Sequence, residues 1–447
     1  MTPSDNTIFE GVPVVATILK VLFPFDDVIL SVFILFIAIT ILKTLTGIFR
    51  EWLKSYASGT ILYSLKKRLL LRYSELSYQN IICQKQGSLI YKCNVSSKMV
   101  ATFLLKLSEG FSEGLKIVAI VLVLAGMQFK ATSFAIIIGL CFYGLSHYFS
   151  KRISYNIGKG RVASGTSQNV IINEFLNGIK SIIVFNARER WLKKFDRQSS
   201  IFTKLYIKDN IWFSIPKYIM ELIAVSLVFG VVVYLKIVYP SQFISYLPLI
   251  GVFAFALVKL LPSMINIGRI RMELLSNLPE LENVHKALTE ELHTRRKGGQ
   301  VVSTFNNSIE FSNVFFCYRE GVDVLQNIDL TIEKGKVTAF VGASGSGKSS
   351  LINLILGLLE PTKGGIKVDD VPLGTIDIES WNQRIGLVSQ DNFIYHSTVK
   401  DNITFGDDSF NEEEIINAAK VANAHDFIFD MKEGYETIVG ERGMKLS

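Results

Sequence analysis

Five long, charge-poor apolar runs, at about 28–47, 115–129, 132–149, 217–238 and 243–263, fill most of the first 265 residues and limit the possible folds more than any other feature. A run of about 20 apolar residues matches the hydrocarbon thickness of a bilayer, where a helix satisfies its own backbone polar groups. Runs two and three are separated only by Lys130 and Ala131, and runs four and five by Tyr239 to Gln242, so each pair is expected to form a tight helical hairpin. The 49% hydrophobic content exceeds what one soluble core needs, and the excess lies in this half.

The other two connections, 48–112 and 150–212, are long and rich in Lys and Arg, among them Arg50, Lys54, Lys66, Lys67, Arg68, Lys151, Arg152, Arg188, Lys193 and Lys194. The positive-inside rule places both in the cytoplasm. Asp26 and Asp27 precede the first run, so the N-terminal segment, 1–27, is expected outside, and an odd number of spans returns the C-terminal part to the cytoplasm. Both connections contain few turn signals and keep helical spacing at Leu62, Leu65, Leu69 and Leu70 and at Ile171, Phe175, Leu176 and Ile179, so they read as helices continuing past the membrane. Such protruding arms are suited to carrying motion between a soluble domain and the membrane.

The net charge of +7 is accounted for by this topology; the basic residues form no stripe with interleaved aromatics, so no nucleic-acid partner is expected. Cys83, Cys93, Cys141 and Cys317 have no metal-ligand spacing and read as reduced. The apolar stretch from Gly11 to Pro24 is short and interrupted by Lys20, which argues against a cleaved leader. Glu221 and Lys259 lie near the cytoplasmic ends of their spans, where snorkelling explains them better than a role in transport.

Past a polar linker, 289–308, the composition becomes that of a soluble α/β domain, 309–447. The apolar segment Lys336–Val341 reads as a strand leading into Gly342, Ala343, Ser344, Gly345, Ser346, Gly347, Lys348 and Ser349, which match G-x-x-x-x-G-K-[ST] at every fixed position. Glycines let backbone N–H groups approach phosphates, the lysine supplies charge for the β/γ oxygens, and the serine hydroxyl suits Mg²⁺. Ser350 extends this loop, and Leu351, Ile352, Leu354, Ile355 and Leu358 then repeat at helical spacing until Pro361, Gly364 and Gly365, where the helix is expected to stop. A P-loop alone leaves kinases, GTPases and many ATPases open.

Further stretches narrow the choice. Val314 to Tyr318, then Val324, Leu325 and Gly335, resemble the opening of an ATP-binding cassette (ABC) domain, and Ile385 to Gln390, Thr398 to Ile403, Phe405 and Gly406 resemble the Q-loop region of exporter-type cassettes. The resemblance implies that Tyr318 stacks on adenine and that Gln390 helps hold Mg²⁺, with ATP and Mg²⁺ as ligands and Ser349 and Gln390 as the metal's protein contacts. Val439 to Gly443 resembles the segment before the LSGGQ signature, and the chain ends at Leu446 and Ser447.

The implied whole is a multi-domain membrane protein: an all-α transmembrane domain of exporter type, 28–288, with long cytoplasmic extensions, followed by an incomplete α/β P-loop cassette. Relatives of this kind have six spans per half, so both ends are expected to be truncated, with the catalytic acid and switch histidine beyond the C-terminus and no robust ATP turnover from this chain alone. The resemblance also implies a second half-transporter as partner, most simply in a homodimer, a cell-membrane location, contact with lipid, and an amphipathic cargo. The Phe253 to Ile267 region looks like members that flip lipid-linked oligosaccharides; peptide or drug export, or a non-transporting ATP-binding regulator or remnant, are the alternatives.

Overall fold

The computed structural model describes residues 28–127, 129–241, 243–290, 294, 298–319, 321–390 and 393–440. The segment 1–27 and the stretch Glu441 to Ser447 lie outside the described residues, as do the side chains of Cys141, Lys151, Arg152 and Lys259. The chain divides into two compact units, Met1–Arg295 and Arg296–Ser447.

The first unit is helical: α1 (Val28–Glu75), α2 (Tyr78–Ile82), α3 (Gln86–Tyr91), α4 (Ser97–Met127), α5 (Phe129–Asn177), α6 (Ile179–Val184), α7 (Arg188–Val238) and α8 (Phe243–Thr289), with a π-helical turn at Lys92–Ser96 between α3 and α4. At 48, 49, 51 and 47 residues, α1, α5, α7 and α8 are each about 70–76 Å long, twice a bilayer's hydrocarbon core. The apolar runs therefore do continue as helices into the basic connections. One expectation fails in detail: Lys130 and Ala131 lie inside the first turn of α5 and are not the hairpin connection, because neither residue breaks a helix. Among the described residues, α1 and α7 are long and apolar enough to cross a membrane, and they leave Leu42, Leu222, Phe229 and Ile237 between 63% and 73% exposed.

Away from the apolar runs the helices close on one another through glycine. A Cβ on Gly158 of α5 would lie 2.0 Å from the Ser276 carbonyl oxygen of α8, and one on Gly87 of α3 would lie 2.5 Å from Cα of Val170 on α5. Close backbone approach brings polar side chains into the interior, and two buried carboxylates there collect hydrogen bonds from neighbouring helices. Glu280, 1% exposed, accepts hydrogen bonds from Tyr91 Oη at 2.8 Å and Ser96 Oγ at 2.6 Å. Asp209 of α7, equally buried, accepts from Arg161 Nη1 of α5 at 2.8 Å and Ser276 Oγ of α8 at 2.7 Å. A small core of Leu69, Val100, Val284 and Ala287 ties α1, α4 and α8 together.

The second unit opens with a hairpin of β1 (Ser308–Arg319) and β2 (Val322–Glu333), followed by α9 (Lys348–Ile355), β3 (Lys363–Val368), β4 (Val371–Pro372), α10 (Ile378–Asn382), α11 (Val399–Thr404), α12 (Glu412–Val421) and α13 (His425–Phe429). The four strands form one antiparallel sheet in the order β2-β1-β3-β4. Phe311, Val314 and Phe316 of β1 pack with Leu351 and Leu354 of α9 and Trp381 of α10 in one core. Residues preceding β1 join this unit: Gln300 N–H donates to Thr375 O at 2.9 Å, and Phe305 meets the Trp381 ring edge-on.

Two expectations are corrected. Lys336–Val341 is not a strand: it pairs with no strand among the described residues, and Val337 and Val341 are 100% and 93% exposed. Extended backbone without a neighbouring ladder has nothing to satisfy its N–H and C=O groups except water. Helix α9 does not run on to Pro361, because Gly357 at φ +66 ends it in a left-handed cap that glycine adopts without strain. Gly364 and Gly365 lie instead within β3.

Candidate functional site

The site begins where β2 has ended and the chain turns from exposed backbone into α9. Ser346 N–H closes a turn onto Ala343 O at 3.2 Å, and Gly345 and Gly347 sit at φ +84 and +89. At Gly347 a side chain is excluded twice over, by the left-handed backbone and by Leu325 Cδ2, which a Cβ would meet at 2.6 Å. Leu325, 5% exposed on β2, is therefore the floor on which the loop turns. Sequence reading placed Leu325 in the stretch that resembles the opening of a cassette but gave it no such role.

The first intrahelical bond of α9 runs from Leu351 N–H to Gly347 O at 2.9 Å. The amides of Lys348, Ser349 and Ser350 precede it and have no intrahelical acceptor, so they present a concentration of positive dipole at the loop. Lys348 folds its ammonium back over the loop, donating to Gly342 O at 2.9 Å and Ala343 O at 2.8 Å. A cation held by two carbonyl dipoles is positioned but only partly neutralised, and a phosphate oxygen arriving at the loop would find it within reach. The Ser349 hydroxyl is open to solvent, while Ser350 faces inward at 5% exposure.

Tyr318, at the end of β1, is brought to this helix start. Its Oη lies 3.1 Å from Ser350 Oγ, and its ring meets Phe316 edge-on at 4.8 Å. The tyrosine expected to face adenine is thus part of the sheet's packing as well as a neighbour of the loop. Gln390 is exposed and forms no hydrogen bond with the loop among the described residues. The structure therefore joins Tyr318, Ser350 and Gly342 to Lys348 into one constellation and leaves Gln390 apart from it. Farther along, Trp381 Nε1 donates to Ile355 O at 2.8 Å, anchoring the far end of α9; only its being the one tryptophan in this unit marked it in the sequence.

Comparisons with known proteins bear on both units. A family profile described as ABC transporter transmembrane region matches residues 13–269, and one described as ABC transporter matches 325–447. The heterocyst differentiation ATP-binding protein HepA of Nostoc sp. is 34% identical over 275 residues, covering 61% of this chain and 45% of that protein. A Staphylococcus aureus protein provisionally named as a multidrug export ATP-binding/permease protein is 29% identical over 411 residues, covering 89% of this chain and 69% of its own. The match to HepA thus takes in less than half of that relative. Among solved structures, that of a bacterial Atm1-family ABC exporter with ATP bound superposes with a TM-score of 0.81 at 19% identity, covering 97% of this chain and 77% of that one.

Proposed function

This chain belongs to the ABC transporter family, its membrane region and its nucleotide-binding region fused in one polypeptide, and we propose that it acts as half of an ATP-driven exporter. The observation that carries this reading is the phosphate cradle: two left-handed glycines, three first-turn amides, and an ammonium parked on the loop's own carbonyls. Lys348 would exchange those carbonyls for the β/γ oxygens, and the Ser349 hydroxyl, joined by Gln390, would enter the Mg²⁺ shell. Tyr318 would offer its ring face to adenine while its hydroxyl stays on Ser350.

The nucleotide would then be closed by a second half-transporter, most simply a second copy, and cassette closure would rock the membrane helices between two access states. The cassette lies in the cytoplasm in this reading, and α1 enters from outside. An amphipathic cargo fits the apolar helices; a lipid-linked saccharide is the first candidate to test, and drugs, which the staphylococcal relative's name suggests, the second.

Equilibrium binding of trinitrophenyl-ATP to the full chain in nanodiscs tests the core of this reading. Lys348→Ala should weaken binding roughly tenfold or more. Unchanged affinity in a folded variant would remove the loop from nucleotide binding and the exporter reading with it.

A further inference from the structure

A second polar site lies in the helical unit. A pocket of about 720 Å³ opens between the α2–α3 connection, the π turn, α5, α7 and α8, and four lysines line it, Lys85, Lys92, Lys194 and Lys286. Two of them are already matched by carboxylates of the same pocket: Lys194 Nζ lies 3.2 Å from Glu174 Oε2, and Lys286 Nζ lies 3.7 Å from Glu290 Oε1. Lys85 and Lys92 have no ion pair among the described residues. The pocket thus has four cations against two anions, an excess of two positive charges.

Lys92 is the informative member. It is half-buried in the π turn, and burial, with repulsion from Lys286 adding to it, lowers its pKa despite the attraction of Glu290. A half-buried ammonium that shares Glu290 with Lys286 is only partly compensated, and a further anion beside it would lower the free energy of the pocket. Gln84, Ser88, Thr166 and Asn283 add polar groups to the lining beside Val170 and Ile171, which suits a hydroxylated or esterified body. All of these residues fall outside the apolar runs.

We propose that this pocket binds a phosphate monoester, whose dianion supplies the two negative charges the pocket lacks. Near neutral pH such a group carries about −1.5 to −2 charges, and lysine binds phosphate well as a point charge. A bound phosphate would connect the π turn, α5, α7 and α8, so its occupancy would brace the packing of these helices against one another. This site is built from residues of the helical unit alone, and the proposal stands whether or not the export reading does.

Cys83 lines the pocket and is exposed, which allows a local readout. With Cys93, Cys141 and Cys317 replaced by serine and Lys348→Ala silencing the loop, the full chain in phosphatidylcholine nanodiscs would carry a trifluoromethyl label on Cys83. Titration with glycerol 3-phosphate and with glucose 6-phosphate should shift the fluorine resonance saturably. Lys92→Gln, and separately the exposed Lys85→Gln, should each weaken binding roughly tenfold. A shift produced by phosphatidic acid in the disc and reversed by glycerol 3-phosphate would identify a lipid headgroup as the source of the phosphate. No saturable shift with any probe, or an affinity unchanged from the parent protein in both folded lysine variants, overturns the proposal.

Discussion

Replacing Gly158 by alanine tests the close crossing of α5 and α8. The new Cβ would stand 2.0 Å from the Ser276 carbonyl oxygen and 2.8 Å from its carbonyl carbon. Both are backbone atoms, so no side-chain rotation relieves the contact, and the helices must separate by at least about 1 Å. Overpacking of this kind costs about 3 kcal/mol at the upper end of its usual range, against which alanine recovers about 1 kcal/mol of helix propensity. The net loss of about 2 kcal/mol should lower the unfolding midpoint by about 4–8 °C. Separation would also pull Ser276 Oγ away from Asp209, so the true value should not fall below this range. The control is Gly59→Ala on α1, where a Cβ meets nothing within 4 Å and the same propensity gain should appear unopposed. Unfolding followed by tryptophan fluorescence on detergent-solubilised protein measures both. A Gly158→Ala protein as stable as Gly59→Ala would refute the close approach and the network built upon it.

Two further outcomes follow from buried or shared carboxylates. Glu280→Ala leaves the Tyr91 and Ser96 hydroxyls facing an apolar hole and should cost about 3 kcal/mol of stability, whereas Glu280→Gln should recover part of it; equal loss in both variants would show that the charge, not the acceptor, matters. Asp369 accepts the amides of Asn306, Asn307 and Ser308 at 2.5, 2.6 and 3.1 Å, and although burial acts against ionisation, these bonds hold its carboxyl below the usual range. A depressed carboxylate stabilises the fold above its unfolded pKa of about 4 and loses that contribution as pH falls through the folded value. The second unit's melting midpoint should therefore drop on acidification below about pH 4, and Asp369→Asn should flatten that part of the profile; an unchanged acid limb would contradict the assignment.

The long helices were legible because their signal is cumulative: Leu62 to Leu70 keep the helical period inside α1, and Ile171, Phe175 and Leu176 keep it inside α5, which ends at Asn177 so that Ile179, expected in the same helix, opens α6 after Gly178. The short helices α2, α3 and α6 were not, since five or six residues carry no resolvable period and their place is set by packing. Lys336–Val341 misled for a related reason. Its β-branched residues favour a strand, but propensity selects a conformation only when a neighbour offers hydrogen bonds. The cradle itself was readable residue by residue, because Gly345, Gly347 and Lys348 are dictated by local backbone and charge. What escaped was support from far along the chain: Leu325 beneath Gly347 and Trp381 behind α9.

The length of α7 has a mechanical consequence. About 29 of its residues precede the apolar run that begins near 217, and about 22 lie within it, so a pivot at the middle of that run has about 60 Å of helix on one side and about 16 Å on the other. A tilt of about 5° would then sweep the distal tip through about 5 Å and the opposite end through less than 2 Å. Such unequal lengths act as a reduction gear of nearly four to one: stroke is exchanged for force, and a modest pull at the basic tip is delivered, multiplied, where the helix is surrounded by apolar contacts that resist it.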